Sequence, residues 1–474
     1  MPANKIKIKT FKPLKENSES EKKSLLSRIV FVLLCAMLVF STVVFGAVDI
    51  WALGALSAFA GLISILWLAD AALKKEFHFS ANKIQLPLFG LILIGLIQLL
   101  PLRSLDISSA LLDIPAAGSL SLSAYSTRFA IVQLIVYFVF LAASLTFINS
   151  PKRQKYIVLT IIIFGSLMAI YGILQRLANI EGIYGARFPE QAVSFASFVN
   201  GHHFAAFMEM TVGLTLGLLF GEATKKDKRL LLVIASIIMG MAIVFTSSRG
   251  GMIALLSVIS FIVVANLLKK PSTEIDSESV GKRDFRRKFT FVACGLALIV
   301  SLFGAVIFLG GDESLMRGVG LQNNQDDLSN GRIHFWQVAW RIFLDYPILG
   351  SGLDSFGTVF TRYDTWNGYY RVEQAHNDYL QILADAGVVG FACVAAFIYL
   401  LFKQSFEVIT KANDSFQQNV AVGALAGCLG ILIHSFFDFP LRIPSNALFF
   451  LTLAALATTS FNKTKIHRRR SSQV

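Results

Sequence analysis

Charged side chains are scarce in this chain of 474 residues, since Asp, Glu, Lys and Arg together make up 15% of it. Apolar residues make up 55%, and the mean hydropathy is +0.63. Soluble domains carry roughly 25% charged residues, so this composition excludes an ordinary soluble enzyme. It indicates an integral membrane protein that uses lipid as its solvent.

Cysteine is also scarce, and its four positions are informative. Cys35, Cys294, Cys393 and Cys428 all fall inside apolar segments, so the sequence predicts neither a disulfide framework nor a cysteine-based metal site. Internal repeats are missing too, and the two halves of the chain show no matched pair of broken helices. This absence argues against a transporter built from inverted repeats.

Long apolar runs are abundant. About 20 apolar residues in a helix cross ~30 Å of hydrocarbon, and twelve such runs can be drawn: 26–46, 51–69, 84–100, 129–148, 156–174, 203–220, 230–245, 251–268, 290–310, 388–402, 420–437 and 446–461. They predict an all-α fold, a polytopic integral membrane protein with about 12 transmembrane helices.

Lysine is absent from one side of this predicted membrane topology. The side with both termini carries 23 Lys and 9 Arg, whereas the other carries 11 Arg and no Lys. Basic residues are retained in the cytoplasm, so both termini are expected there. The net charge of +13 then follows from topology and requires no nucleic-acid partner. The outer arginines have two interpretations: the topology rule alone, or phosphate recognition by guanidinium groups.

The assignments divide the chain into five parts. We expect a cytoplasmic N-terminal tail at 1–25, the first nine transmembrane helices at 26–310, a large outer loop at 311–387, the last three transmembrane helices at 388–461 and a basic cytoplasmic tail at 462–474. The large outer loop exceeds all other outer loops in length and ends in a histidine motif. We therefore expect the function to reside there.

The outer loop after the fifth predicted span carries polar residues into the sixth span. Arg187 lies in this loop, and Asn200 with Gly201 forms a turn signal. A helix entering the membrane after His202 places Glu209 about one and a half turns deep. A carboxylate at that depth needs a cation or a hydrogen-bond donor. It either joins two helices in an ion pair or handles a substrate or a proton.

A short outer hairpin at residues 246–251 contains Arg249 beside Gly250 and Gly251. The glycines allow a close approach of backbone to a ligand, and the serines and amides can donate hydrogen bonds. Arg249 can bind an anion there. The alternative is that its side chain extends to lipid phosphates.

Within the large loop, residues 330–347 show helical apolar spacing, carried by Ile333, Trp336, Trp340 and Phe343. The sequence predicts an interfacial helix in which the indoles anchor the chain at the headgroup boundary. Arg332 is different, because a cation in the first turn opposes the helix dipole. An anion bound at that end would relieve this cost.

The histidine motif covers residues 375–381, and the helix that starts there is predicted to run on through Gly387 and Gly390 into the tenth span. His376 is predicted at the outer membrane boundary, where an imidazole can act as a general base near neutral pH. The alternative to catalysis is a structural role, which is usual for an isolated histidine at a helix start. The polar neighbours that favour function are Arg371, Glu373, Asn377, Asp378 and Tyr379.

A weaker set lies near the last outer loop. His434 and Asp438 are spaced to share one helix face, and Pro440 prevents a simple helical extension to Arg442.

Taken in order, four motifs resemble the O-antigen ligase and Wzy-type polysaccharide polymerase superfamily. They are Ser248 to Gly251, Gly331 and Arg332 with Trp336, the stretch 347–352, and 376–381 with Gly387 and Gly390. The motifs span 201–390, and the topology of the whole chain fits. The resemblance implies that His376 is the catalytic base and that Arg249 and Arg332 bind pyrophosphate. Arg187, His202, Glu209, Arg371, Asn377, Asp378 and Tyr379 are further candidates for binding or orienting substrate.

The resemblance also implies the partners. Such enzymes move a glycan from an undecaprenyl-pyrophosphate carrier to an acceptor hydroxyl at the periplasmic face of the bacterial inner membrane. The acceptor is lipid A–core for a ligase and another carrier-linked glycan for a polymerase, and both remain open, because residues 438–446 also resemble polymerase-like members.

No outer loop contains an Asp-x-Asp pair, so we expect no metal and no other cofactor, and a single displacement with inversion. Membrane lipids are expected partners and nucleic acid is not. A lipid or polysaccharide transporter stays open as an alternative, although its ionisable residues would lie nearer the middle of the membrane.

Overall fold

The computed structural model describes residues 25–103, 118–189, 192–221, 226–268, 331–366 and 371–461. Across these ranges the chain forms α-helices and no β-strand, which confirms the predicted all-α class for the described residues. The predicted ninth span, 290–310, lies outside them, as do Cys294, the start of the large loop at 311–330 and most of both predicted tails.

The helices follow one another as α1 (Leu25–Val43), α2 (Ile50–Lys74), α3 (Gln85–Gln98), α4 (Ala124–Phe147), α5 (Pro151–Leu177), α6 (Gly201–Leu219), α7 (Lys226–Phe245), α8 (Arg249–Leu267), α9 (Arg332–Asp345), α10 (Phe356–Tyr363), α11 (Asp378–Lys411), α12 (Ser415–His434) and α13 (Pro444–Thr458). Eight of them are long and apolar enough to cross a membrane: α1, α2, α4, α5, α7, α8, α11 and α12. Apart from residues 290–310, each predicted span coincides with a described helix, so the chain is a polytopic membrane protein.

Helix α6 lies at the centre of the bundle. Nearly all of its residues are buried, and it packs against α5, α7, α8, α12 and α13. Because these neighbours separate α6 from lipid, its polar residues can be paired inside the protein. This explains how a helix that contains two histidines and Glu209 is accommodated in the membrane.

Helices α6 and α12 cross at unusually close range because glycines line both. A Cβ added to Gly213 would lie 2.5 Å from the amide nitrogen of Gly427, and one added to Gly423 would lie 2.8 Å from the carbonyl oxygen of Gly213. Gly217 likewise meets Gly423. Small residues four apart are the usual means of bringing two membrane helices together. The crossing sets the spacing of side chains that face each other across α6 and α12.

We expect the substitution Gly213→Ala to destabilise the protein by about 1–3 kcal/mol, because the added methyl group would overlap backbone atoms that cannot turn away. Gly61→Ala is the matched control, since Gly61 is an exposed residue of α2 with no atom within 4 Å of an added Cβ. Thermal unfolding of both variants in detergent checks the prediction. Equal melting temperatures for the two would show that the crossing tolerates a wider separation.

Helix α11 is longer than the predicted span at 388–402, since it has 34 residues and begins at Asp378. It bends at Gly387, which has φ 63° and ψ −164°. The bend admits the loop before α10, whose Pro347 carbonyl accepts a hydrogen bond from Val388 at 2.8 Å. Gly350 packs directly on the backbone of Asp385. The first part of α11, before the bend, is therefore held against the loop and lies before the predicted span.

Candidate active site

His376 immediately precedes α11, and its backbone is fixed from both sides. The next residue, Asn377, caps the helix by accepting hydrogen bonds from the amides of Tyr379 and Leu380, both at 3.0 Å. On the other side, the amide of Ala375 donates to Gln381 at 2.8 Å. His376 itself has φ 50°, a conformation that costs free energy for a residue other than glycine. The cap holds the imidazole in a defined position.

The imidazole of His376 forms a dyad with Asp438. Its Nδ1 lies 2.9 Å from the Asp438 Oδ1, and the two side chains are 29% and 2% exposed. A carboxylate accepts hydrogen bonds, so Nδ1 carries the proton and Nε2 of the neutral ring is an acceptor. Burial raises the pKa of Asp438, but the hydrogen bond with His376 and the nearby charges of His203 and His202 outweigh it and hold that pKa well below its ordinary value. The carboxylate is therefore ionised at neutral pH.

Arg332 lies on the other side of the same carboxylate. Its Nη2 is 4.0 Å from the Asp438 Oδ2, and within the described part of the chain this oxygen accepts no hydrogen bond. Arg332 is the first residue of α9 and remains 26% exposed. Two aromatic rings flank His376, those of Phe439 at 4.9 Å and Phe335 at 6.0 Å. The dyad thus lies beside a partly exposed guanidinium group and is bordered by two aromatic rings.

The segment that carries Asp438 is hydrogen-bonded to the side chains of Asn377, Asp378 and Tyr379. The side-chain amide of Asn377 donates to the Phe436 carbonyl at 3.1 Å, and the Tyr379 hydroxyl donates to the Leu432 carbonyl at 2.6 Å. The Asp378 carboxylate accepts from the Ser435 hydroxyl at 2.9 Å and from the Leu441 amide at 3.2 Å. These contacts join the start of α11 to residues 432–441.

Arg442 joins the same segment to the part of α11 that precedes the bend at Gly387. It pairs with Asp354 at 2.7 Å and with Asp385, which is fully buried. Burial opposes the charge of Arg442, but Asp385, Asp354 and Asp378 outweigh this effect and raise its pKa. Asp385 also accepts from the Phe356 amide at 3.1 Å. No sequence pattern predicted this cluster, since its members are separated by long stretches of chain.

His434 and Asp438 do not share a helix face, contrary to expectation. Helix α12 ends at His434, so the two side chains diverge. The Nδ1 of His434 lies 2.8 Å from the Glu209 Oε1, and both side chains are buried. Gly250 packs on the His434 ring, because an added Cβ would lie 2.9 Å from its Cδ2. The pair joins α6 to α12 and lies against the start of α8, which begins with Arg249.

Of the remaining candidates, His202 is close enough to Asp438 for their charges to interact, and Arg371 lines the same cavity as His376. Arg187 is fully engaged by Asp49, whose two carboxylate oxygens are 2.6 and 3.1 Å from its guanidinium nitrogens. Arg371 pairs with Glu373 on an exposed stretch. His202 is half-buried in the first turn of α6, where its amide donates to the Asn200 cap at 2.9 Å.

A cavity of about 1080 Å³ opens beside the dyad. The polar part of its lining includes His376, Asp378, Tyr379, Arg371, Asp354 and Arg442. The apolar part comes from α3, α4, α11 and α13 and includes Leu88, Leu91, Tyr137, Phe397, Phe450 and Leu451. The cavity therefore joins a charged site to an apolar surface that lies between membrane helices.

Residues 234–395 match the O-antigen ligase family model. The match includes Arg249, Arg332 and His376, whereas Glu209 and Asp438 lie outside it. It confirms the resemblance drawn from the sequence motifs and supports a membrane glycosyltransferase of the O-antigen ligase or polymerase type at the level of the family. A comparison with curated proteins found no match.

Proposed function

The chain is O-antigen ligase-like over residues 234–395, and on that premise we propose that it transfers a glycan from undecaprenyl pyrophosphate to an acceptor hydroxyl. The acceptor is lipid A–core, and the reaction takes place at the periplasmic face of the bacterial inner membrane. The observation that carries the proposal is the His376–Asp438 dyad at 2.9 Å, placed where a charged site meets an apolar cavity.

The reaction follows from the chemistry of the dyad. The acceptor hydroxyl donates a hydrogen bond to Nε2 of His376 and gives up its proton as its oxygen attacks C1 of the donor sugar. The bond from C1 to the pyrophosphate oxygen breaks in the same step, so the configuration at C1 inverts. Asp438 stabilises the imidazolium that forms, in the way a buried carboxylate supports a catalytic histidine.

The leaving group requires positive charge nearby, because the pyrophosphate carries two negative charges in the donor and gains a third as the bond from C1 breaks. Arg332 is near the dyad and partly exposed, which suits a phosphate contact. Arg249 begins α8, directly after Ser248, whose hydroxyl caps the helix by accepting from the Gly251 amide, and the positive end of the helix dipole there favours an anion. We assign both arginines to pyrophosphate binding.

The apolar part of the cavity suits the lipid portion of the donor. Its lining from α3, α4, α11 and α13 extends from the charged mouth between helices that cross the membrane. An isoprenoid chain entering there would leave its pyrophosphate near His376. This supports a lipid-linked donor over a soluble nucleotide sugar.

The predicted topology is supported by contacts that join loops assigned to one side of the membrane, and the distribution of lysine supports the choice of side. Asp49 pairs with Arg187, and His376 pairs with Asp438, so four loops predicted to be periplasmic meet at one end of the bundle. Both termini would then lie in the cytoplasm, and the large periplasmic loop at 311–387 would contain the reaction site.

A polymerase that uses a second carrier-linked glycan as acceptor is the other candidate, favoured by the motif at residues 438–446. The test is a gel assay of purified protein with carrier-linked oligosaccharide, with and without lipid A–core. Transfer that requires lipid A–core indicates a ligase, and lengthening of the carrier-linked glycan indicates a polymerase. A lack of both with several donors would contradict glycan transfer and favour the transporter alternative.

A further inference from the structure

Trp366 presents an unusual surface in the large outer loop. One face of its indole is stacked on the His334 ring at 4.1 Å and 8°, yet the residue is 52% exposed. Since His334 covers one face, the exposed area lies on the opposite face and along the rim. The result is a flat apolar surface that is open to solvent.

The indole is held rigidly. Asp364 Oδ1 accepts from the Trp366 amide at 3.0 Å and lies 2.8 Å from the His334 Nε2, so one carboxylate oxygen fixes both stacked partners. His334 and Asp364 are only 10% and 11% exposed. Gly331 borders the edge of the six-membered ring, where an added Cβ would lie 3.0 Å from the Trp366 Cη2. An exposed aromatic ring fixed in this way binds a ligand without a large loss of side-chain entropy.

The surface is close to the candidate active site. The Phe335 ring lies between Trp366 and His376, with its centre 6.0 Å from each of theirs. Arg332, which reaches toward Asp438, directly follows Gly331 in the chain. A chain of sugars whose reacting end lies at His376 can therefore extend over Trp366.

Helix α9 also has a lipid-type surface, and Trp366 is not part of it. Its exposed apolar side chains, Ile333, Trp340 and Leu344, follow helical spacing along one face. Trp366 instead contacts His334 and Phe335, of which Phe335 also contacts His376. Trp340 thus suits the headgroup boundary, whereas Trp366 lies beside the reaction site.

We propose that the open face of Trp366 is a glycan-binding subsite, which takes a sugar one or more units away from the reacting end. The nature of the ligand rests on the proposed function. The apolar C–H face of a pyranose ring packs on an aromatic face, and a flat, fixed indole offers a large contact area for it. The subsite would hold the glycan in register with His376 without touching the reacting atoms.

The first test measures KM for carrier-linked oligosaccharide in the transfer assay. Trp366→Ala should raise KM roughly 3- to 10-fold, a range typical of one aromatic contact, with little change in kcat. Trp366→Phe should retain most of the affinity because it keeps a ring against His334. Trp340→Ala is the matched control, an equally exposed indole on α9 whose ring partner is Phe343, and its KM should be unchanged.

The second test does not depend on catalysis. Oligosaccharide released from the same donor by mild acid is mixed with the protein, and saturation-transfer NMR detects its contact with the aromatic residues. The contact should be lost in Trp366→Ala and kept in Trp340→Ala. If it persists in Trp366→Ala with an unchanged KM, the subsite is wrong. Loss of contact in Trp366→Ala, with no transfer by the wild type, would support the subsite and contradict the proposed function.

Discussion

Replacing His376 with Ala is expected to lower the rate of glycan transfer about 10²- to 10⁴-fold, the contribution typical of a general base. The fold should persist, because the side chain is partly exposed and Asn377, not His376, caps α11. His376→Gln gives the same expectation with a side chain of similar reach that cannot accept the proton. The measurement is the initial rate in the gel assay, with the melting temperature determined for each variant.

His78→Ala is the control, because His78 is a partly exposed histidine in a loop predicted to lie on the cytoplasmic side, where its carboxylate partner is Glu76 at 3.6 Å. It should transfer at the wild-type rate. An active His376→Ala variant with normal melting would exclude the base assigned here, and the dyad would then be a structural contact. A melting temperature well below that of the wild type would instead show that His376 stabilises the fold, and His376→Gln would decide between the two roles.

Asp438→Asn is expected to lower the rate about 10²-fold or more, because the imidazolium formed during transfer would lose its ionic partner. The variant has nearly the shape of a protonated Asp438, so packing around Phe439 should persist. Asp70→Asn is the control, since Asp70 is a buried carboxylate paired with Lys74 at 2.8 Å on the side predicted to be cytoplasmic. A rate for Asp438→Asn equal to that of the wild type would show that the carboxylate does not support the base.

The stability difference between the same variant and the wild type should depend on pH. The pKa of folded Asp438 lies well below its ordinary value, so its stabilising contribution is fully present above about pH 4, the range of an unfolded carboxyl, and is lost as pH falls through the lower folded pKa. At pH 7 Asp438→Asn should melt at a lower temperature than the wild type. The difference should shrink on acidification below about pH 4. A constant difference at every pH would show that ionisation of Asp438 does not stabilise the fold.

Local sequence was sufficient to place the helices and to select His376. The N-cap at Asn377, the first turn at Arg332 and the cap at Asn200 all follow from residues next to one another. The sequence also predicted that the helix starting at the histidine motif runs on through Gly387 into the tenth span, and residues 378–387 form the first part of α11. They continue the helix because Gly387 permits a bend against Pro347.

Sequence patterns could not predict the pairs of residues that complete the site. His376 and Asp438 are 62 residues apart, and Glu209 and His434 are 225 apart. Periodicity predicted His434 and Asp438 on one helix face. Helix α12 ends at His434 instead, and the two side chains pair with different residues. Only the crossing of α6 with α12, which glycines allow, determines that Glu209 meets His434.

The sequence by itself determined that this is an all-α membrane protein. Hydrocarbon imposes a length and an apolar composition on the helices that cross it, and eight of the described helices meet that condition by themselves. The tertiary structure decided which polar residues are partners. Buried charges in the membrane must be paired, but the same helices and loops could be arranged in several ways that each pair different residues. Asp438 is joined to His376, and Trp366 is fixed beside them, through contacts that depend on how distant segments pack.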